Sequence, residues 1–263
     1  MKQKIVRACS LFALLMAAPV MAAEPSVEEI VNKANVAAYY AADDGKAEVS
    51  MTITDSQNRQ RKREFVILRK DVEDGGPQRF FVYFKKPGDV SKMVFMVHKN
   101  VTKDDDRWMY LPALDLVKRI AASDKRTSFV GSNFMYEDVS GRSLSEDSRE
   151  LLESTASHYL IKNTPKQPDE VEFSSYTVQI DKKTFLPIKA VYLDKSGKEY
   201  RIVEALKTEN IDGFPTVTES KVTDLATGSS TVSTFSNIKY NLGLKDKIFT
   251  ERSLRKPPRE AKR

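Results

Sequence analysis

Phe80-Phe81-Val82-Tyr83-Phe84 and, beyond the turn Lys86-Pro87-Gly88-Asp89, Met93-Val94-Phe95-Met96-Val97 carry apolar side chains at successive positions. Successive side chains of an extended chain point to opposite faces, so both segments demand cover on both sides. Glu64-Phe65-Val66-Ile67-Leu68 is nearly as apolar. A one-sided surface sheet would alternate strictly. A strongly curved antiparallel sheet wrapped around a helix meets the demand, and its interior is then either a filled core or an apolar cavity.

Outward from these segments the chain reads mostly as strand. Val49, Met51 and Ile53 alternate with Ser50, Thr52 and Thr54, and the turn Asp55-Ser56-Gln57-Asn58 leads into 61–69. Further strands are expected at 158–163, 176–181, 187–194, 198–206, 215–223 and 230–240, separated by short Asp-, Lys- and Gly-rich turns. One helix is well specified. Ser26 and Glu29 match a capping box, and Val27, Ile30, Val31, Ala34, Ala37, Ala38 and Ala41 recur at helical spacing, predicting a helix over 27–42 with Gly45 as its stop. It is expected inside the curve of the sheet. The stretch 99–145 differs: a charged tip at Asp104-Asp105-Asp106, the aromatic strand Arg107-Trp108-Met109-Tyr110-Leu111-Pro112, then an irregular, aromatic-rich loop with a short helix near 133–138. Residues 145–155 fit either a short helix or a strand.

The 263 residues, 40% hydrophobic and 30% charged, have a folded composition. Lys2, Lys4 and Arg7 precede an apolar run from Ala8 to Ala18 that is too short to span a bilayer, and Val20-Met21-Ala22 suits signal peptidase. Residues 1–22 therefore read as a signal peptide cleaved after about Ala22. Cleavage removes Cys9, the one cysteine, and lowers the formal charge from +6 to +3. This excludes a disulfide scaffold or a Cys-based metal site and argues against nucleic acid as a partner. Export and the absence of a later apolar stretch point to the periplasm. Residues 23–254 read as one domain and 255–263 as a solvated basic tail.

No catalytic constellation stands out: there is no Gly-x-Ser-x-Gly elbow, phosphate loop or His-Glu-x-x-His. Asp104, Asp105 and Asp106 lack the ligand spacing of a calcium loop and read as a solvated tip. Glu137 and Asp138 are adjacent on a predicted helix and point apart, which favours accepting hydrogen bonds from arginine or backbone over glycoside chemistry. His98 and His158 read as structural. The cluster Arg59, Arg61, Lys62 and Arg63 reads as protection of an exposed sheet edge, with anionic head groups or a partner as the other reading.

Three stretches carry a resemblance. Arg107-Trp108-Met109-Tyr110-Leu111-Pro112-Ala113-Leu114, then Val117-Lys118-Arg119-Ile120, then Ser128-Phe129-Val130-Gly131-Ser132-Asn133-Phe134-Met135-Tyr136-Glu137-Asp138-Val139 resemble the LolA-like outer membrane lipoprotein-sorting protein family. The Leu186-Pro187 turn between two strands, the Asp194-Lys195-Ser196-Gly197 hairpin and the ending Phe249-Thr250 with Leu254 agree. The resemblance implies a mainly β, incomplete antiparallel barrel with helices as a lid over an apolar concavity. It implies a carrier that holds a lipid or an acylated lipoprotein and shuttles it between an inner-membrane exporter of the RND/MMPL type and the outer membrane, without cofactor, metal or catalysis. The alternatives are an accessory subunit of such a transport complex with a filled core and, less well matched, a lipid hydrolase. The residues expected at the concavity or its lid are Phe80, Phe95, Met96, Trp108, Tyr110, Phe129, Phe134, Met135 and Tyr136.

Overall fold

The structure, a computed structural model, describes residues 24–262. The expected signal peptide 1–22 and its cleavage point after Ala22 lie outside the described residues. At the start of α1 (Val27–Tyr39) the Ser26 N–H donates to Glu29 Oε2 at 2.8 Å and the Glu29 N–H to Ser26 Oγ at 3.2 Å, completing the capping box. The helix ends earlier than the expected residue 42. The Arg69 guanidinium donates to the carbonyls of Tyr39, Ala41 and Ala42, and Gln78 Nε2 donates to Tyr39 O at 2.7 Å. These tertiary partners, not Gly45, terminate it; Gly45 lies within the first strand.

Among the described residues thirteen strands form one antiparallel sheet: β1 (Asp44–Thr54), β2 (Gln60–Asp71), β3 (Gln78–Lys86), β4 (Val94–Lys99), β5 (Asp106–Leu111), β6 (Leu116–Ile120), β7 (Asp147–Ser154), β8 (His158–Pro165), β9 (Phe173–Asp181), β10 (Pro187–Asp194), β11 (Glu199–Ile211), β12 (Phe214–Asp224) and β13 (Ser230–Tyr240). Residues 147–154 thus resolve as strand. Each strand pairs with its sequence neighbour except where β1 pairs with β13, so the order runs β6 to β1, then β13 down to β7. The sheet is curved and unclosed, with β6 and β7 as its two edges. The chain between them, 121–146, must therefore cross from one edge to the other. It does so over the inner face and contains the short helix α2 (Tyr136–Ser140). Gly141, at φ +79°, lets this segment seat on α1: a Cβ there would stand 2.6 Å from the Tyr39 ring.

The doubly apolar strands are covered on both sides by different parts of the chain. Phe65, Phe80, Val82, Phe84, Phe95 and Val97 face inward and pack with Phe129 of the crossing segment. Val66, Leu68, Phe81, Val94 and Met96 face outward and pack with Leu244, Ile248, Phe249, Leu254 and Ala261. The basic stretch 255–263 departs from the expected solvated tail at Ala261, while Arg255, Lys256, Arg259 and Lys262 are exposed as expected. After β13 the chain forms α3 (Glu251–Arg255) and α4 (Arg259–Lys262), and Ala261 is fully buried against the sheet. Burying each large side chain of such a cover contributes about 1.5–3 kcal/mol, which holds the segment down despite its charge. His98 Nε2 lies 2.8 Å from Phe249 O and, facing a carbonyl, donates to it; burial keeps this imidazole below its usual pKa.

Two further expectations need correction. β2 is an interior strand, so the Arg59–Arg63 cluster guards no edge. Arg63 is buried and pairs with Asp89 at 3.2 Å, and Arg61 donates to Gly131 O at 3.3 Å, tying the crossing segment down. Asp105 is not a solvated tip residue: it accepts from buried Arg107 at 2.8 Å and from Ser140 Oγ at 3.0 Å.

Candidate functional site

Alanine size shapes the site. The helical stripe of α1 turns Ile30, Val31 and Ala34 onto Tyr159, Ile161 and Ile180, which anchors the helix over the inner face. Further along, Ala34 and Ala37 of α1 and Ala41 just beyond it line the same space as Ala47, Ala190 and Ala205 of the sheet. Small side chains on both walls leave the space between them unfilled. The result is a cavity of about 530 Å³, walled mainly by carbon and bounded by α1, the crossing segment and the inner face of β1–β3 and β7–β13. That lies within the range of roughly 300–1,000 Å³ typical of ligand pockets. Val178, Val203, Phe235 and Ile238 extend the apolar lining.

One end of the cavity is closed by a charged network. Glu137 of α2 accepts from Arg126 at 2.8 Å and from Arg142 at 3.4 Å, and Asp138 accepts from Arg201 at 2.5 Å and from the Met135 N–H at 2.7 Å. Arg142 also donates to Asp147 at 3.0 Å, and Arg126 binds Glu172 with a fork of contacts. Burial opposes the charge of Glu172, but the Arg126 hydrogen bond and charge outweigh it and hold the carboxyl below its usual pKa. The same guanidiniums stack on aromatic rings: Arg126 and Arg142 over Phe173 at 4.9 and 5.3 Å, Arg201 over Tyr192 at 5.1 Å. Tyr176 donates to Asp147 at 2.7 Å, and burial, followed by nearby Tyr192 and Asp147, pushes its phenol well above 10. The adjacent carboxylates at 137 and 138 thus point to different arginines and are both occupied. Asp138, through Arg201 of β11, ties the crossing segment to the sheet, while Glu137 braces that segment internally through Arg126 and Arg142, which reach on to Glu172 and to Asp147 of β7. Among the described residues no group of three or more His, Cys, Asp or Glu is arranged to hold a metal ion, and no helix is long and apolar enough to cross a membrane.

The nine candidate residues divide between the two faces. Phe80, Phe129 and Phe134 line the cavity. Phe95 and Tyr136 face inward but are packed, their rings 5.1 Å apart and each within 6 Å of Phe129. Met135 is half-buried where the crossing segment turns into α2. Met96, Trp108 and Tyr110 lie on the outer face, beneath or beside the C-terminal cover, and are remote from the cavity. Alternation explains the split: Met96 neighbours inward-facing Phe95, and Trp108 and Tyr110 flank inward-facing Met109. The alanines that create the cavity were visible in sequence as a helical stripe, but their size, not their hydropathy, was the signal. Arg149, which also lines the cavity, lies in the segment that sequence alone left between helix and strand.

A family model for an uncharacterised protein matches residues 76–256. Among solved structures, a DUF1329 family protein from Desulfovibrio piger is 30% identical and superposes with a TM-score of 0.78 over 86% of this chain and 96% of that one. A domain named for outer membrane lipoprotein sorting, from Vibrio parahaemolyticus, is 25% identical, also at a TM-score of 0.78, over 86% and 97%. A LolA superfamily protein from Nitrosomonas europaea shares the fold at 19% identity and a TM-score of 0.67, over 87% and 99%. No curated protein matches the chain. By the matched length and by its identity to the Desulfovibrio protein, the chain belongs to the DUF1329 family, and its unclosed antiparallel sheet is LolA-like.

Proposed function

We propose that the protein is a periplasmic carrier that holds an acyl chain of a lipid or lipoprotein in its concavity and moves it between an inner-membrane exporter and the outer membrane. One observation carries the reading: the inner face of a well-packed sheet is left unfilled by about 530 Å³ beneath an alanine-rich helix. Taking a methylene at ~30 Å³, the share of a liquid water, that space holds roughly eighteen methylenes. Each buried methylene contributes about 0.8 kcal/mol, offset by the cost of association. No covalent step is needed. The likeness to a domain named for outer membrane lipoprotein sorting supports the cargo class. The periplasmic site and the RND/MMPL-type exporter rest on the signal-like N-terminus and the sequence resemblance. The accessory-subunit alternative fits the half of the inner face under Phe129, which is packed, and not the half under α1.

The test is titration with a fluorescent fatty acid, alongside Ala190→Trp, which places an indole in the cavity. The carrier reading expects saturable binding that Ala190→Trp weakens at least about tenfold, with the fold retained because the space accepts the ring. A wild-type protein that binds no amphiphile, and that yields no lipid on extraction and mass spectrometry, overturns it.

A further inference from the structure

Edge strand β7 sends Asp147, Arg149 and Leu151 to the inner face at alternate positions. Asp147 is taken by Arg142 and Tyr176, and Leu151 packs with the α1 cluster. Arg149 is different. Its Nη2 donates to Leu144 O at 2.5 Å, but its buried Nε has no partner, and no carboxylate lies within ion-pair distance among the described residues. Other cations on the same cavity wall are neutralised: Arg142 by Glu146 at 2.5 Å and Asp147, Lys189 by Glu204 at 3.7 Å, Arg69 by Asp71 at 3.6 Å. Asn163, directly across the ladder from Arg149, also lines the cavity and offers a carboxamide beside it. An uncompensated guanidinium on a carbon-lined wall is costly, and an anion arriving with the ligand removes that cost. The guanidinium fork matches the two oxygens of a carboxylate or phosphate.

We infer that Arg149, with Asn163 beside it, is the head-group site of the cavity, so that the cargo is an amphiphile with an anionic carboxylate or phosphate at the β7 rim and its apolar chain under α1. This inference rests on the carrier reading and adds the charge of the ligand to it. The experiment is competition of palmitate, hexadecyl phosphate and methyl palmitate against a fluorescent probe, with wild type, Arg149→Gln and Arg149→Lys. Wild type is expected to bind at least one anion about tenfold tighter than the neutral ester, the scale of one charge-assisted hydrogen-bonded contact. Arg149→Gln erases that preference, lowering the anion's affinity about tenfold more than the ester's; Arg149→Lys keeps part of it. Whichever anion is tighter tells a fatty-acid carboxylate from a phospholipid-type phosphate. Equal wild-type affinity for anion and ester, or an undiminished anion preference in Arg149→Gln, overturns the inference while the carrier reading stands. Failure of all three ligands to bind overturns both. Should Arg149→Gln not fold, the wild-type anion-to-ester ratio and Arg149→Lys decide the matter by themselves.

Discussion

Phe129 decides whether the crossing segment is a loosely seated lid or part of the core. Its side chain is 2% exposed and its ring centroid lies 6.2, 5.8, 5.4 and 5.7 Å from those of Phe65, Phe84, Phe95 and Tyr136. Phe129→Ala removes the hub of this cluster. Core Phe→Ala changes cost about 3–5 kcal/mol, and four aromatic neighbours that cannot all collapse into the gap put this one near the middle, about 4 kcal/mol. For a chain of this size that lowers Tm by about 10 °C. Guanidinium and thermal unfolding measure it, with Phe129→Leu as a milder control. Native-state hydrogen exchange is the companion assay: packed this way, amides at 128–138 exchange at rates like those of β3 and β4. A loss below about 1 kcal/mol, with fast exchange across 128–138, refutes the packing argument and makes the segment a true lid.

Two other outcomes follow from the structure. Burial holds Lys99 at about 8, below its ordinary 10.5, while its ammonium donates to Ser140 O at 2.7 Å. Between those values the unfolded chain binds the extra proton, so stability rises with pH across that window and the penalty is fully present below it. Relative to Lys99→Met, wild type should gain up to about 3 kcal/mol as pH climbs from below 8 to 10.5, and a flat difference in paired unfolding curves would count against this. At the other end of the chain, deleting residues 257–263, or making Ala261→Asp, is expected to lower stability by about 1–2 kcal/mol, because Ala261 is fully buried. A change within about 0.5 kcal/mol would mean a solvated tail after all.

What the sequence determined by itself was local or periodic. The Ser26–Glu29 cap, the strands flanked by Gly- and Asp-rich turns and the need of 80–84 and 93–97 for cover on both faces are properties of short stretches, and each is met in the fold. The opposite pointing of Glu137 and Asp138 was equally legible, since adjacent helical residues diverge whatever they meet. Which chain segment covers which face was not. Alternation says that Phe95 and Met96 point apart, but only the β1–β13 pairing, which makes β6 and β7 the edges, sends 121–146 across the inner face. The outer face is then left to the C-terminal stretch, where Leu254 is buried, and with it Ala261 from among the basic residues 255–263 that read as a solvated tail. The cavity was likewise undecided in sequence. An alanine stripe is apolar whether it packs tightly or borders open space, and the distinction exists only once Ala190 and Ala205, from strands far along the chain, are brought to the same cavity as α1.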